Sequence, residues 1–400
     1  MFKHLLKLIW NKKKQNALLI TEIFVSFLVM FGVFTMLVYS FRNYRQPMGF
    51  NYDNVWVINF TPPEKITSND SAIIFQDALM NTIKSMPQVS EVSYCGSNVP
   101  FSMNTSNTNI NSGKGKRAMS NIYNAGPDYL KVLNIKLKSG RWITKADAAS
   151  DKKVAVITSQ LQDQLFDGKE AVGKKLGEEM FGGPGGESGV KIEVVGVIED
   201  IKDKGDYNSI ENGLYRPIDT GWARSTGTML LKVKPEADAA FEGRLFKTLS
   251  NSIGTNIEIE HLDKKLVSRN NVMLIPMIIA FVVAGFLIIN VALGLFGVLW
   301  YNINRRKGEI GLRRAVGAPG KSISLQLVGE ALVLSTISLL LGTFFAMQFP
   351  LLNVFDLATG TYITAIILSI VFIYLLVLVC AVYPGKQAAA IYPAVALHED

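Results

Sequence analysis

The chain has 400 residues, of which 49% are hydrophobic and only 18% charged, with a mean hydropathy of +0.24. That is too apolar for an ordinary water-soluble globular chain, so part of it must lie in lipid. Fourteen prolines and 33 glycines exclude collagen-like and low-complexity chains, and two cysteines, Cys95 and Cys380, exclude a disulfide framework; the net charge of +8 invites an anionic partner, and where it sits decides which.

In chain order, residues 1–16 hold Lys3, Lys7, Lys12, Lys13 and Lys14 and read as a cytoplasmic amphipathic segment. Residues 17–39 form an apolar run long enough for a helix to cross a hydrocarbon core of about 30 Å. The run is about twice as long as a signal-peptide core, and Ser40-Phe41-Arg42 after it offers no small-residue cleavage pattern, so a retained anchor is expected. The next 232 residues, 40–271, are enough for one large or two small domains. Alternating or apolar runs predict strands at Val55–Phe60, 89–94, Val154–Thr158, 192–198, 229–233 and 257–260. Helix-like recurrence predicts helices at 72–86, ended by Pro87, at Ser159–Phe166 and at 237–253. The polar stretch 98–116, rich in Asn, Ser, Thr and Gly, is expected to be a mobile loop. Gly182-Gly183-Pro184-Gly185-Gly186-Glu187-Ser188-Gly189 lacks the Lys-Ser/Thr pair and following helix of a phosphate loop and reads as a flexible hairpin. The mixed order of elements gives an α+β domain.

From His261 to Arg269 the chain runs without Gly or Pro into a second apolar run, 273–300, which predicts one helix continuous from the domain into the membrane; runs at 323–349 and 362–383 follow. The fold class is therefore an α-helical membrane protein with four transmembrane helices and a large α+β extracytoplasmic domain between the first and second. Lys and Arg fix the orientation. The segments at 1–16, between the second and third runs and at 384–400 carry 12 basic residues against Glu309, Glu399 and Asp400, whereas residues 40–271 carry 29 against 27. Both termini are then cytoplasmic, residues 40–271 lie outside, and the positive excess is a topology signal at the inner face, which removes nucleic acid as a partner and leaves the bilayer. Glu22, Asn290 and Glu330 fall in or near the spans and read as polar side chains facing a helix bundle, with a translocation or proton role as the alternative. Ala280 with Ala284, and Asn290 with Gly294, suggest close packing along the second span.

Chemistry is hard to find. Nucleophile elbows, HExxH helices, EF-hand loops and paired Cys-x-x-Cys motifs are absent, and His4, His261 and His398 lie in separate segments, so no catalytic, cofactor-binding or metal-ligating residue is nominated. Residues 315–322, Ala-Val-Gly-Ala-Pro-Gly-Lys-Ser, approximate a Walker A loop, but they follow a transmembrane helix and a cationic stretch instead of a buried strand. The same region reads better as a lever. Over 305–316, Glu309 can pair with Arg305 and Arg313 at four-residue spacing, and Ile310, Leu312 and Val316 offer apolar contacts. Such a helix suits anionic lipid or a groove on a partner protein equally well.

Arg306-Lys307-Gly308-Glu309-Ile310-Gly311-Leu312-Arg313-Arg314-Ala315-Val316-Gly317-Ala318 closely resembles the R-x-x-E-I-G-I-R-R-A-L-G-A signature of the FtsX/MacB superfamily of ABC transporter permeases, and Glu330 stands where that family carries a glutamate in its third span. Residues 383–397 resemble its Y-P-A-x-x-A-A-x-x-x-P-x-x-A-L ending, and Gly140-Arg141, Val154–Thr158, 171–174 and 194–197 are similar to the macrolide-exporter-type periplasmic domain. The resemblance implies a stand-alone permease, not itself an enzyme, in a bacterial inner membrane. Residues 40–271 would be the periplasmic core domain and 272–400 the FtsX-like permease domain. Segment 305–318 would be the coupling segment touched by a separate cytoplasmic ABC ATPase that holds the ATP and Mg²⁺. Arg305, Arg306, Glu309, Ile310, Gly311, Leu312, Arg313, Arg314 and Gly317 would do the coupling. A second permease copy or paralogue would complete a dimer, with a periplasmic adaptor and an outer-membrane channel as further partners. ATP hydrolysis would move the outer domain by mechanotransmission, exporting a drug, peptide or lipoprotein-type cargo. The alternative is a non-transporting regulator of cell-wall hydrolases or a peptide-sensing membrane protein.

Overall fold

The computed structural model describes residues 13–113, 115–179, 191–254 and 256–390. Residues 1–12 of the amphipathic segment expected at 1–16, the glycine-rich hairpin expected at 182–189 and the tail beyond 390 lie outside the described residues. The chain divides into two units, one made of 43–273 and one of 1–42 with 274–400.

Among the described residues of the first unit, eleven strands join in one sheet. Four of them, β1 (Val55–Phe60), β2 (Val89–Cys95), β10 (Thr228–Val233) and β11 (Ile257–His261), pair antiparallel in the order β11-β1-β10-β2, with Val57 opposite Leu230. Alternate residues of β1 serve two cores. Trp56, Ile58 and Phe60 pack with Leu79 and Ile83 of α2 (Asn69–Lys84) and with Phe241, Leu245 and Leu249 of α4 (Ala239–Ile253), whereas Val55 and Val57 face a second core shared with Tyr123, Tyr129 and Tyr215. Because both faces of the strand are covered, it reads as an uninterrupted apolar run. Helix α2 starts where Ser68 Oγ accepts from the Ser71 amide, and α4 starts where Asp238 accepts from the Phe241 amide.

The remaining strands include β3 (Asn107–Asn111), β4 (Arg117–Ala125), β6 (Val154–Thr158), β7 (Lys175–Glu179), β8 (Lys191–Ile198) and β9 (Gly213–Pro217). Their pairings run β4-β3-β7-β8-β6-β9 and return from β9 to β4, so these six strands close on themselves, with β4/β9 and β6/β8 parallel. Short β5 (Leu137–Gly140) adds to β8, and α3 (Ser159–Phe166) contributes Leu161 and Leu165 to the core of this half. The stretch expected to be a mobile loop is thus half wrong. Residues 107–111 form a strand bonded on both sides, and Ile110 and Thr108 point inward although the sequence around them is Asn-rich. Strands β4, β5, β7 and β9 also escape the apolar periodicity, because neighbours across the ring, and not their own composition, recruit them.

At the edge of this unit, Lys202 is buried and its Nζ donates to the carbonyls of Asn43, Gln46 and Asp206 at 2.7, 3.1 and 3.1 Å. Asn270 accepts from the Asp206 amide at 2.9 Å and donates to its carboxylate at 2.6 Å. One loop therefore ties the first residues of this unit to its last.

In the second unit, four helices among the described residues are long and apolar enough to cross a membrane. They are α1 (Lys13–Tyr44), α5 (Leu262–Arg305), α7 (Gly320–Ala346) and α8 (Thr359–Ala389); α1, α5 and α8 outrun their apolar stretches at both ends, whereas α7 is shifted three residues toward the N-terminus of its run. Leu19, Ile23, Phe27 and Phe31 repeat every four residues along α1 and meet Val291, Leu295 and Leu299 of α5 and Ile366 and Ile373 of α8. Small residues set the approach of α7 to α8. Ser335, Ser338 and Ser369 are buried and return their hydroxyls to carbonyls four residues back, and Gly385 lies so close to Ser324 that a Cβ would stand 2.7 Å from its Oγ. Of the small pairs expected on the second span, Ala284 packs against Met30 and Val33, and Gly294 faces the Glu22 carboxylate. Asn290 is instead exposed and donates to the Phe286 carbonyl of its own helix at 2.8 Å.

Candidate functional site: the helix between the second and third spans

Helix α5 ends at Arg305, and a separate short helix, α6 (Lys307–Ala315), begins two residues later. The break is Arg306, whose φ of −104° and ψ of 13° leave the helical region. Its cause is local: Gly308 weakens helix continuation and a run of cations at 305–307 disfavours it further. The far end closes differently. Gly317 adopts φ +96°, the Ala318 amide donates to the Arg313 carbonyl at 2.9 Å, and the Gly317 amide donates to the Arg314 carbonyl at 3.1 Å. This is a Schellman stop, and its left-handed position is strained for any side chain. Pro319 then starts α7. The Walker-like residues 315–322 are this turn, running from helix to helix.

Each residue nominated from sequence now has a place. Ile310 and Gly311 are buried, Ile310 in a small cluster with Ile303, Ile323, Leu327 and Ala388, so α6 rests on the ends of α5, α7 and α8. Leu312 and Val316 point the other way and are 57% and 82% exposed. The expected pairing of Glu309 holds with Arg313, at 2.6 Å, but not with Arg305, which is exposed at the end of α5. The break at Arg306 explains the difference, since residues 305 and 309 do not share one helix. Arg313 also donates through Nη1 to Gln326 Oε1 at 3.0 Å, and Arg314 donates to the Ala318 carbonyl at 3.5 Å. Arg306 Nη1 donates to both carboxylate oxygens of Glu330 at 3.1 Å each. Sequence reading placed Glu330 on a bundle face but missed Arg306 as its partner and missed Gln326 altogether. Spacing within one helix cannot reveal a contact with the next.

In the first unit the charged groups are mostly partnered. Arg141 donates to both oxygens of Asp147 at 2.7 and 2.8 Å, and this pairing, helped by Thr144, holds the Asp147 carboxyl well below the usual aspartate range. Burial pushes the phenols of Tyr123, Tyr129 and Tyr215 up, the first of them also donating to Asp203. A cavity of about 570 Å³ lies where the open sheet meets the closed ring, and two of the ion pairs in its lining are Lys153 with Asp219 at 3.1 Å and Arg216 with Glu178 at 3.6 Å. Among the described residues no cluster of His, Cys, Asp and Glu could hold a metal ion.

Two family models match the chain. The model of the MacB-like periplasmic core domain matches residues 23–245, and that of the FtsX-like permease C-terminal region matches 281–393. The chain is 23% identical to the uncharacterized ABC transporter permease YvrN of Bacillus subtilis over 304 residues, 70% of each chain. It is 28% identical to the macrolide export ATP-binding/permease protein MacB 1/2 of Paracoccus denitrificans over 58% of its own length and 35% of that protein's. The chain thus spans only about a third of that exporter. The crystal structure of the periplasmic region of MacB from Actinobacillus actinomycetemcomitans covers 57% of this chain and 98% of its own, with 18% identity and a TM-score of 0.37. A core-domain match over more than half of the sequence, followed by the permease-domain match on α5 to α8, makes this chain a member of the MacB/FtsX family of ABC transporter permeases.

Proposed function

We propose that the chain is the permease subunit of an ABC transporter that turns ATP hydrolysis by a cytoplasmic ATPase into movement of its periplasmic domain. In this reading the four helices all span the membrane, both termini and α6 are cytoplasmic, residues 40–271 lie in the periplasm, and a second copy or a paralogue completes the transporter. ATP and Mg²⁺ bind the ATPase, and cargo of the drug, peptide or lipoprotein type leaves with the help of an adaptor and an outer-membrane channel.

The observation that carries the reading is the two-sidedness of α6. Its inner face is fixed by Ile310, while Leu312 and Val316 stand exposed on a helix with Lys307, Arg313 and Arg314 around them. A short helix held from behind with an apolar edge presented outward suits a groove on a partner protein. The route for the work is α5, one helix from Leu262 to Arg305 that leaves strand β11 directly and ends next to α6. Its backbone hydrogen bonds are internal except at Pro276, which lacks an amide donor, so displacement along the axis can be carried from one end to the other.

Affinity purification in mild detergent, with identification of every bound chain, tests it. An ATP-binding chain of the ABC class is expected with the wild type. The double exchange Leu312→Asp and Val316→Asp is expected to lower its recovery at least about tenfold, equivalent to about 1.4 kcal/mol. Unchanged recovery removes the docking role of α6.

A further inference from the structure

We propose that Glu330 is a positioning residue that fixes the angle of α6 by holding Arg306 at the break between α5 and α6. The proposal rests on the reading of α6 as the ATPase contact for its functional meaning, but its geometry is independent of that reading.

A single non-helical residue separates α5 from α6. One residue with free φ and ψ does not set the direction of the helix that follows it, so contacts must do so. The Ile310 cluster supplies a non-directional one. Three directional contacts converge on α7, at two residues one turn apart. Glu330 takes Arg306 through both carboxylate oxygens, with the two side chains only 14% and 15% exposed. Gln326 donates to Glu330 Oε1 at 3.3 Å and accepts from Arg313 at 3.0 Å, and Arg313 in turn holds Glu309 at 2.6 Å. The sequence Arg306–Glu330–Gln326–Arg313–Glu309 therefore ties the N-terminal and C-terminal ends of α6 to one face of α7. A largely desolvated ion pair is costly to leave half-made and strongly orients its partners. A push on the exposed edge of α6 would pass into α7 through these ties.

Hydrogen exchange of the full chain in lipid nanodiscs tests it. Glu330→Gln keeps the shape and removes the charge. Amides of 307–316 are expected to exchange about tenfold faster, with β1, β10 and the middle of α8 unchanged. The double exchange Arg306→Glu with Glu330→Arg restores an ion pair and is expected to restore protection. Gln326→Ala, which cuts only the C-terminal tie, is expected to accelerate 311–316 and leave Arg306 and Glu330 paired. Exchange of 307–316 within about twofold of wild type in Glu330→Gln overturns the proposal, as does a swapped double variant no better protected than the single one. Absence of any ATP-binding chain in the purification described above, with exchange accelerated as expected, overturns the ATPase reading of α6 and leaves the positioning role of Glu330 standing.

Discussion

Lys202 is inaccessible to water and its ammonium spends its three donors on three backbone carbonyls, those of Asn43, Gln46 and Asp206. The Asn43 carbonyl keeps the Gln46 amide at 3.0 Å, but all three oxygens lose a charged donor if the amine goes, so Lys202→Met is expected to destabilise the 43–273 unit by about 2–4 kcal/mol, read as a lower unfolding midpoint in denaturant. Asp147 makes a different case, because its worth depends on pH. Arg141 donates to both its oxygens, and Thr144 donates from its hydroxyl and its amide, all favouring the carboxylate. With the folded carboxyl held below the ordinary 3.8, the stabilisation is complete above that value and fades as pH falls below it. Asp147→Asn is therefore expected to cost about 1–2 kcal/mol at neutral pH, and the gap between the two melting curves should begin to narrow at about pH 4 and shrink steadily as pH falls further. A gap that persists at lower pH would mean the pair contributes through shape and not charge. Neither residue was singled out from the sequence. Lysines and aspartates are scattered over the whole domain, and only the backbone path decides which one lies beside three carbonyls.

Among the elements, α6 shows how much a short segment can declare and how much it withholds. Its cationic composition, its Glu309–Arg313 pair and the glycine that ends it are all legible, because each is a local effect within one turn or one cap. The glycine supports a specific expectation. Gly317→Ala forces a Cβ into a left-handed position at a cost of about 1–2 kcal/mol, so the turn between α6 and α7 should loosen, measurable as faster exchange at the Gly317 and Ala318 amides. The break at Arg306 was not legible, and it defeated the pairing expected of Arg305. The strands divide in the same way. Those with β-branched apolar runs, such as Val154–Thr158, announce themselves, whereas Asn107–Asn111 becomes a strand through its ladder to β4 and β7. Its composition argues for a loop, and tertiary pairing wins because the ring would otherwise be open.

For the molecule as a whole, the charge asymmetry makes a topological statement that labelling can check. A cysteine introduced at exposed Ile74 should react with a membrane-impermeant maleimide added to cells that keep their inner membrane, and one at exposed Leu312 should react only after permeabilisation. Labelling of both positions from one side would undo the proposed arrangement. By itself the sequence determined the apolar runs, the sign and place of the charge, the mixed composition of the large domain, and a signature strong enough to name a family. These follow from composition and from periodicity over a few turns, which the bilayer and the backbone read directly. Only the tertiary structure decided that six strands close into a ring, that a buried lysine gathers three carbonyls, and that Arg306 meets Glu330. Apart from Lys202 with Asp206, those contacts join residues tens to hundreds of positions apart, and no local propensity specifies a partner at that distance.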